Sequence, residues 1–590
     1  MNFSAISHRC AFTDSYALDK DTLCLNIKTA YDIDEVYVIW HDPASFRKTE
    51  DGPWRGGRVK MEKAFSLKYH IIWSCTVKPP YKRTEYYFEL HGKDECGKQE
   101  TYLLFENDFA LPSQFEANPD LFLQYKNAWL NPADVVSVPS WVKDTIWYQI
   151  MPDRFCSAGN FPKRLKNREW DDVSDMQWHD FFGGDLPGVT SKLDYLKDLG
   201  ISGIYFTPIF KSCSNHKYNI EDYSLIDPDF GTDEDMRTLV REAHKRGIRI
   251  MIDAVFNHSG NDFPIWLDVV ENGEKSKYKD WFFVNKFPLK GVEGDTSDGR
   301  YFSFDFVTAM PKLNTNNPEV QKYFTDICSR WVKDWDVDAI RFDVANEVSH
   351  DFIKVLHRKL CAEKKDLFLL GEIWTDSLQW LCGDEYHSVM NYPFMIAMGK
   401  IFAHSGELSH EMDNVYSLYF RQTNTALFNF LDTHDTGRAI NACKNMDEFY
   451  QKLVLLMSME GTPCIFYGTE IAVEGEKGPY IRRPMPWHEL ELKEKQEIFA
   501  NVKKIIALRN TYPALRAEKI QYLSYENKEQ VCFERTSDDG KQTVTVCLNL
   551  SEEDMEVSLK EGQKVLFGVN HEAYASGKII LHKDGSLVLG

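Results

Sequence analysis

Apolar and polar positions follow different patterns in successive stretches of the chain. Up to about residue 111, short runs of alternating apolar and polar residues are separated by turn-forming segments such as Asp51-Gly52-Pro53. Such runs are typical of β-strands that bury one face. We therefore predict an N-terminal β-sandwich over residues 1–111 and a proline-rich linker with a short helix over residues 112–140. The strand-like runs of the sandwich are Thr22–Lys28, Val36–Trp40, Ile71–Val77 and Tyr86–Leu90.

From about residue 141, continuous apolar runs alternate with amphipathic segments. Continuous runs are typical of strands that are buried on both faces, and the spacing between them is that of helices. Eight β-α units predict an α/β fold, a (β/α)8 barrel over residues 141–510 with an inserted subdomain at about 259–316. Strand-like segments beyond it predict a small C-terminal β-sandwich over residues 511–590. The eight runs are Thr145–Ile150, Ile201–Phe206, Arg249–Val255, Asp338–Val344, Leu367–Ile373, Ser388–Tyr392, Leu427–Leu431 and Pro463–Tyr467.

Composition and charge exclude several kinds of partner. The formal net charge is −21, and so acidic a surface repels phosphate backbones, which argues against nucleic acid. No stretch of about twenty apolar residues occurs, so no membrane span is expected. The 13 cysteines are scattered and show no zinc-site spacing, which favours reduced thiols and a cytoplasmic location.

The carboxyl ends of five predicted barrel strands carry an unusual set of ionisable residues. Working residues of such barrels lie at these ends. A single Asp there is usually a cap or loop residue, and a single His is usually structural, but five strand ends with this chemistry favour a functional site. Clustered carboxylates also repel one another, so such a pocket is costly unless it is used. The residues are Asp153, Arg154, Asp253, Asn257, His258, Arg341, Asp343, Asn346, Glu347, Glu372, Trp374, Asp432, His434 and Asp435.

Glycoside cleavage is the chemistry that needs this arrangement. One carboxylate attacks the anomeric carbon, and a second protonates the leaving oxygen. Arg341 stands two residues before Asp343 and shares its strand face, so it can keep Asp343 ionised. Glu372 would have to hold a proton at neutral pH, which apolar surroundings and nearby negative charge would favour.

At these residues the chain resembles the α-amylase family of glycoside hydrolases. Four short motifs of that family occur in order, at Asp253–His258, Arg341–Glu347, Gly371–Trp374 and Leu431–Asp435. Met310-Pro-Lys-Leu-Asn314 and the stretch from Arg482 to Trp487 are similar to markers of its neopullulanase, cyclomaltodextrinase and maltogenic amylase group. The β-rich N-terminal segment also fits this group, in which that domain resembles a starch-binding module.

The resemblance implies roles for individual residues. It makes Asp343 the nucleophile, Glu372 the acid/base and Asp435 the stabiliser of the transition state. It places Glu347 on the acceptor side, where it influences hydrolysis versus transfer. The substrate-binding residues that it implies are His216, Tyr218, His258, Arg341, Asn346, Glu347, Trp374, His434 and Arg482.

Three positions depart from the pattern of the group. Thr375 stands where a His is usual, and Gly478 stands where relatives tend to place a sugar-contacting Asp. Relatives often bind calcium through a loop that here reads Cys156–Arg164 and is poor in hard oxygen ligands, although Asp185 remains. We therefore expect no metal ligands and no required cofactor, with calcium binding disfavoured but open.

The resemblance implies a retaining hydrolase of α-1,4-glucosidic bonds in cyclodextrins and maltooligosaccharides, with activity on pullulan and some transglycosylation. A 4-α-glucanotransferase on the same scaffold is an alternative, because water or a sugar hydroxyl can capture the same covalent intermediate. A noncatalytic carbohydrate-binding protein is disfavoured, since all three carboxylates are kept. The resemblance further implies a homodimer in which the N-terminal domain of one subunit covers the active site of its partner.

Overall fold

The structure is a computed structural model that describes residues 1–93, 96–159, 163–290, 294–574 and 577–590. Internal packing divides the chain into two compact units. Residues 1–137, 381–383 and 399–424 form the first unit, and residues 138–380, 384–398 and 425–590 form the second. The predicted domain boundaries stay predictions.

The first unit contains the predicted N-terminal β-sandwich. Two antiparallel sheets share one core, to which the first sheet contributes Leu25 and Trp73 and the second contributes Val38 and Phe88. In sheet order, the first sheet consists of Ser15–Ala17, Leu23–Thr29, Ile71–Val77 and Glu62–Ser66. The second consists of Gly57–Lys60, Ile33–His41, Thr84–Lys93, Gln99–Leu104 and Phe109–Ala110.

Part of the segment that we predicted as a linker is built into this unit. A helix spans Pro112–Ala117, and the strand Tyr125–Asn127 pairs antiparallel with Thr84–Lys93. Tyr125 is buried, stacks on Tyr86 at 5.5 Å and donates a hydrogen bond to the carbonyl of Phe105. A three-residue strand is too short to show alternation in the sequence. The unit also includes the helices Leu408–Tyr416 and Arg421–Asn424.

The second unit contains the predicted parallel barrel. Its eight strands lie in the order six, five, four, three, two, one, eight, seven, and a parallel bridge between Met390 and Phe428 joins strands six and seven. We call them barrel strands 1 to 8. They span Trp147–Ile150, Gly203–Phe206, Arg249–Ala254, Ala339–Phe342, Phe368–Gly371, Ser388–Val389, Phe428–Phe430 and Thr462–Phe466.

Local sequence explains where the helices around the barrel begin. Thr232 and Asp235 form a capping box before Asp233–Lys245, and the side chain of Asn317 caps Pro318–Trp335 at its first turn. The segment from Leu186 to Leu199 forms two helices, because the helix is interrupted at Lys192. The other helices are Pro152–Phe155, Leu186–Ser191, Leu193–Leu199, Pro264–Asn272, His350–Glu363, Tyr392–Phe402, Met446–Ser458 and Lys493–Thr511.

The insertion after barrel strand 3 brings its last residues back to the barrel rim. Its described part contains one α-helix, Pro264–Asn272, and otherwise irregular backbone held by isolated bridges. One bridge pairs His258 with Lys312, so the segment Met310–Asn314 lies beside the end of barrel strand 3. A separate hairpin, Phe210–Lys211 with Asp222–Ile226, follows barrel strand 2.

The C-terminal segment folds into one antiparallel sheet, whose core includes Cys547, Val557, Leu581 and Leu587. Among the described residues, none of the helices has the length and apolar character needed to cross a membrane. The strands of the sheet are Ile520–Leu523, Gln530–Thr536, Thr543–Asn549, Met555–Ser558, Val565–Tyr574 and Lys578–Leu589.

Candidate active site

The carboxyl ends of the barrel strands surround a pocket of about 600 Å³. All the residues to which the resemblance assigned a role meet here. Asp153, Arg154 and Asp432, from the strand-end set, do not line the pocket. Arg154 donates to Asp153 Oδ2 at 2.7 Å, and Asp432 Oδ2 accepts from the Ala439 N–H at 2.9 Å. Arg341 and His434 do not line the pocket but bond to residues that do. The lining residues are His216, Tyr218, His258, Phe304, Met310, Asp343, Val344, Asn346, Glu347, Glu372, Trp374, Thr375, Asp435 and Arg482.

A fully buried guanidinium lies at the centre of the site. Arg341 Nη1 donates to both oxygens of Asp253, at 2.9 and 2.8 Å, and to Asp343 Oδ1 at 2.9 Å. Its Nη2 lies 2.8 Å from Glu372 Oε2. The alternation of side chains along barrel strand 4 puts Arg341 and Asp343 on one face, as predicted. One cation therefore serves three carboxyl groups.

Arg341 favours the ionised form of Asp343, in the direction that we predicted, but burial and other carboxyl groups oppose it. Burial raises the pKa of Asp343 well above its usual value; Arg341 opposes this rise, and the charges of Glu372 and Asp253 add to it. Carboxyl groups that compete for one cation retain a proton more readily than isolated ones. A retaining glycosidase needs an ionised nucleophile before the first step, and Arg341 is the group that favours the ionised form of Asp343.

Glu372 lies among hydrogen-bond donors, not in the apolar surroundings that we expected. The Val344 N–H donates to its Oε2 at 3.0 Å, and the Trp374 indole N–H donates to Oε1 at 3.2 Å. The Tyr392 hydroxyl lies 3.4 Å from Oε1, and its ring stacks on Trp374 with centroids 4.0 Å apart. These donors fix the carboxyl group at the pocket wall.

Asp435 is held in its ionised form by two neighbours. Burial disfavours the charge, but His434 and Arg482 outweigh burial and hold the pKa of Asp435 below its usual range. Arg482 Nη2 donates to Asp435 Oδ1 at 2.8 Å, and His434 Nε2 lies 2.9 Å from Oδ2. The side-chain amide nitrogen of Gln149 lies 2.7 Å from His434 Nδ1. When this amide donates to Nδ1, the proton of the neutral imidazole lies on Nε2. A fixed negative charge of this kind can stabilise a developing oxocarbenium ion.

Aromatic rings form one wall of the pocket, contributed by Tyr218 and by the neutral His216 and His258. Tyr218 stacks on His434 at 5.4 Å and donates to Asp253 Oδ2 at 3.0 Å. Burial lowers the pKa of His258 to about 3, and burial together with Arg482 lowers that of His216 to about 3. His258 Nε2 has no hydrogen-bond partner within the described chain. These histidines can therefore bond sugar hydroxyls as neutral rings.

Comparison with known proteins gives a family. Residues 149–504 match "Alpha amylase, catalytic domain", and residues 1–119 match "Alpha amylase, N-terminal ig-like domain". The chain belongs to the α-amylase family. It is 40% identical over 547 residues to "Intracellular maltogenic amylase" of Bacillus subtilis, covering 91% of this chain and 90% of that one.

Two further relatives of this α-amylase family member extend over nearly its whole length. It is 39% identical over 567 residues to a "Cyclomaltodextrinase" of Geobacillus thermopakistaniensis, covering 95% of this chain and 93% of the relative. A solved structure called "Cyclomaltodextrinase" superposes with a TM-score of 0.88 at 34% identity and covers 100% of both chains. The resemblance that the motifs indicated is confirmed.

Sequence reasoning missed several residues of the α-amylase site. Phe304 stacks on His258 at 5.2 Å and comes, like Met310, from the irregular insertion, where no periodicity marks it. Val344 has a φ of 44°, a costly conformation for a β-branched residue, and this turns its N–H toward Glu372. Of the departures from the family pattern, Thr375 lines the pocket and Gly478 does not.

A buried ion pair joins the loop Cys156–Arg164, of which residues 160–162 lie outside the described residues, to Asp185. Lys163 Nζ donates to Asp185 Oδ2 at 2.6 Å and to the carbonyl of Asp229 at 2.8 Å, and both partners of the ion pair are buried. The ammonium thus takes two oxygens that a cation would need. The remaining oxygen of Asp185 accepts the N–H of Gly188 at 2.6 Å.

A His/Cys cluster that the sequence spacing did not predict lies elsewhere in the barrel unit. Ligand atoms of His357, Cys361 and His387 lie within 4.8 Å of one another. The Leu369 N–H donates to His387 Nδ1 at 3.0 Å, which puts the proton of the neutral ring on Nε2, the atom nearest Cys361. A protonated Nε2 cannot bind a metal, so the cluster is a hydrogen-bonded one.

Proposed function

We propose that this α-amylase family member hydrolyses α-1,4-glucosidic bonds of cyclodextrins and maltooligosaccharides, and also acts on pullulan, with retention of anomeric configuration and some transglycosylation. The observation that carries the proposal is the pairing of Asp343 and Glu372 at one buried guanidinium below the pocket. The names of two relatives, a maltogenic amylase and a cyclomaltodextrinase, support the substrate class.

The proposed reaction has two steps. In the first, the Asp343 carboxylate attacks the anomeric carbon while Glu372 donates its proton to the departing glycosidic oxygen. Asp435 stabilises the positive charge that develops on the sugar ring. In the second, Glu372 removes a proton from water, the resulting hydroxide oxygen bonds to the anomeric carbon, and the Asp343 carboxylate leaves. Loss of the Asp343 charge in the covalent intermediate favours the ionised form that Glu372 needs as a base.

Product analysis tests this proposal. We expect purified protein to open β-cyclodextrin and to release maltose and glucose faster than it degrades soluble starch, with pullulan as a further substrate. The first product should carry the α-anomeric configuration by NMR, because two inversions at one carbon restore it. Release of the β-anomer would exclude the mechanism. Predominant formation of longer oligosaccharides at high acceptor concentration would favour the glucanotransferase instead, and no turnover of any of these glucans would support a noncatalytic protein.

We also propose that the enzyme requires no calcium, because Lys163 neutralises Asp185. The apparent Tm of the wild type should be the same in EDTA and in millimolar calcium chloride. Lys163→Met should lower it by about 5 °C, since removing one partner of a buried ion pair leaves an uncompensated charge. Lys166→Met is the matched control, because Lys166 pairs with Glu169 at the surface. A lower Tm of the wild type in EDTA would contradict the proposal.

A homodimer formed through the N-terminal unit and a cytoplasmic location belong to the same proposal. Phe46 and Tyr69 of that unit are 78% and 69% exposed, so their rings are available for contact with a partner subunit. We expect the wild type to sediment as a dimer. The double variant Phe46→Ser/Tyr69→Ser should associate more weakly. A wild type that is monomeric at micromolar concentration would refute the dimer. The name of the intracellular relative supports the cytoplasm.

A further inference from the structure

Lys312 lies in the Met310–Asn314 motif and has no role in the proposed mechanism. Its backbone bridges to His258, and its side chain crosses from the insertion to the barrel rim. There Nζ bonds to Asn257 Oδ1, to the Glu347 carbonyl at 3.2 Å and to Glu347 Oε2 at 3.0 Å. Lys312 thus connects Asn257, which lies beyond the end of barrel strand 3, with the turn after barrel strand 4.

The contacts of Lys312 use its full donor capacity. An ammonium has three N–H donors, and here three oxygen atoms accept from it. Burial lowers the pKa of Lys312, and the Glu347 carboxylate opposes that effect. The Glu347 side chain is 45% exposed, so without the lysine it would be free to sample other rotamers.

Glu347 lies on the side of the pocket where the acid/base residue works. The N–H groups of Val344 and Ala345 donate to the side chain and the carbonyl of Glu372, and the Glu347 N–H closes the same turn. The leaving sugar and the acceptor that replaces it both receive or lose their proton at Glu372, so they occupy the same side. A carboxylate fixed there can orient the hydroxyl group of a sugar acceptor for attack, whereas attack by water does not depend on such orientation.

We propose that Lys312 is a positioning residue that fixes the Glu347 carboxylate and thereby raises capture of the glycosyl intermediate by a sugar acceptor relative to capture by water. This inference rests on the proposed function. A Lys312→Met variant keeps the length of the side chain and loses its donors and charge. Glu347 then gains rotamer freedom, and the ratio of transfer to hydrolysis should fall about fivefold.

The test is a double-mutant cycle of wild type, Lys312→Met, Glu347→Gln and the double variant, each supplied with maltotriose and excess glucose. Transfer and hydrolysis products are quantified together, so their ratio does not depend on the amount of active enzyme. If Lys312 acts through Glu347, the double variant will have the same ratio of transfer to hydrolysis as Glu347→Gln alone. An unchanged ratio in Lys312→Met, or an equal fall in both backgrounds, would overturn the inference.

Three further variants serve as controls for the double-mutant cycle. Lys322→Met removes an exposed lysine of the helix Pro318–Trp335 and should leave the ratio unchanged. Lys312→Arg keeps the charge and should bring the ratio back toward that of the wild type. If Lys312→Met fails to fold, Lys312→Gln takes its place in the cycle. A wild type without activity on maltotriose or cyclodextrin would refute the proposed function itself, whereas an active wild type with an unchanged ratio in the variants would refute only the role of Lys312.

Discussion

Replacement of Asp343 by asparagine should lower kcat for cyclodextrin hydrolysis by about 10⁴-fold or more. The amide has nearly the shape of the carboxyl group but cannot form the covalent intermediate with the anomeric carbon. Steady-state kinetics on β-cyclodextrin measures the loss. Asp326→Asn is the matched control, because Asp326 lies on the exposed face of the helix Pro318–Trp335 and should not affect kcat.

The fold of the Asp343→Asn variant should be preserved. Arg341 keeps its two bonds to Asp253 and its contact with Glu372, so its buried charge remains compensated. Far-UV circular dichroism and Tm close to those of the wild type are expected, together with retained cyclodextrin binding by calorimetry. Turnover close to that of the wild type would remove Asp343 from the mechanism. A loss of binding and of secondary structure would instead show that the residue is needed for the fold.

Replacement of Glu372 by glutamine should have an effect that depends on the leaving group. For cyclodextrin, kcat/KM should fall by about 10²- to 10⁴-fold, because the departing sugar oxygen needs a proton. With α-glucosyl fluoride the first step should remain fast, since fluoride departs without general-acid help. The second step lacks its base, so a burst of about one fluoride per active site should precede slow turnover. Rapid-quench fluoride analysis measures the burst.

A small anionic nucleophile distinguishes loss of the base from general damage to the Glu372→Gln site. Azide needs no deprotonation, so it should restore turnover of the fluoride and yield α-glucosyl azide. Intact-mass analysis before azide is added should show one glucosyl group on the protein, and peptide mapping should place it on Asp343. Equal losses with cyclodextrin and fluoride, without a burst, would contradict the acid/base role of Glu372.

The barrel and the parts of the site that lie on it could be predicted from the apolar runs of the chain. Barrel strands are buried on both faces, so each appears as an apolar run, and every run coincides with a strand. Because parallel strands end at one rim, the residues that follow these runs were expected to meet. Arg341 and Asp343 do so because their two-residue spacing puts them on one face, and Glu372 joins them from the end of the neighbouring barrel strand 5.

The groups that surround those residues depend on the packing of segments that are far apart along the chain. The donors to Glu372 come from the left-handed Val344 and from Tyr392, and neither residue has a local pattern that points to Glu372. No sequence pattern around Lys163 or Lys312 indicates the partners of their ammonium groups. Their ammonium groups bond to residues that are distant along the chain, Asp185 in one case and Asn257 with Glu347 in the other. Periodicity records which face of an element is buried, whereas the partner across a contact depends on how separate segments pack.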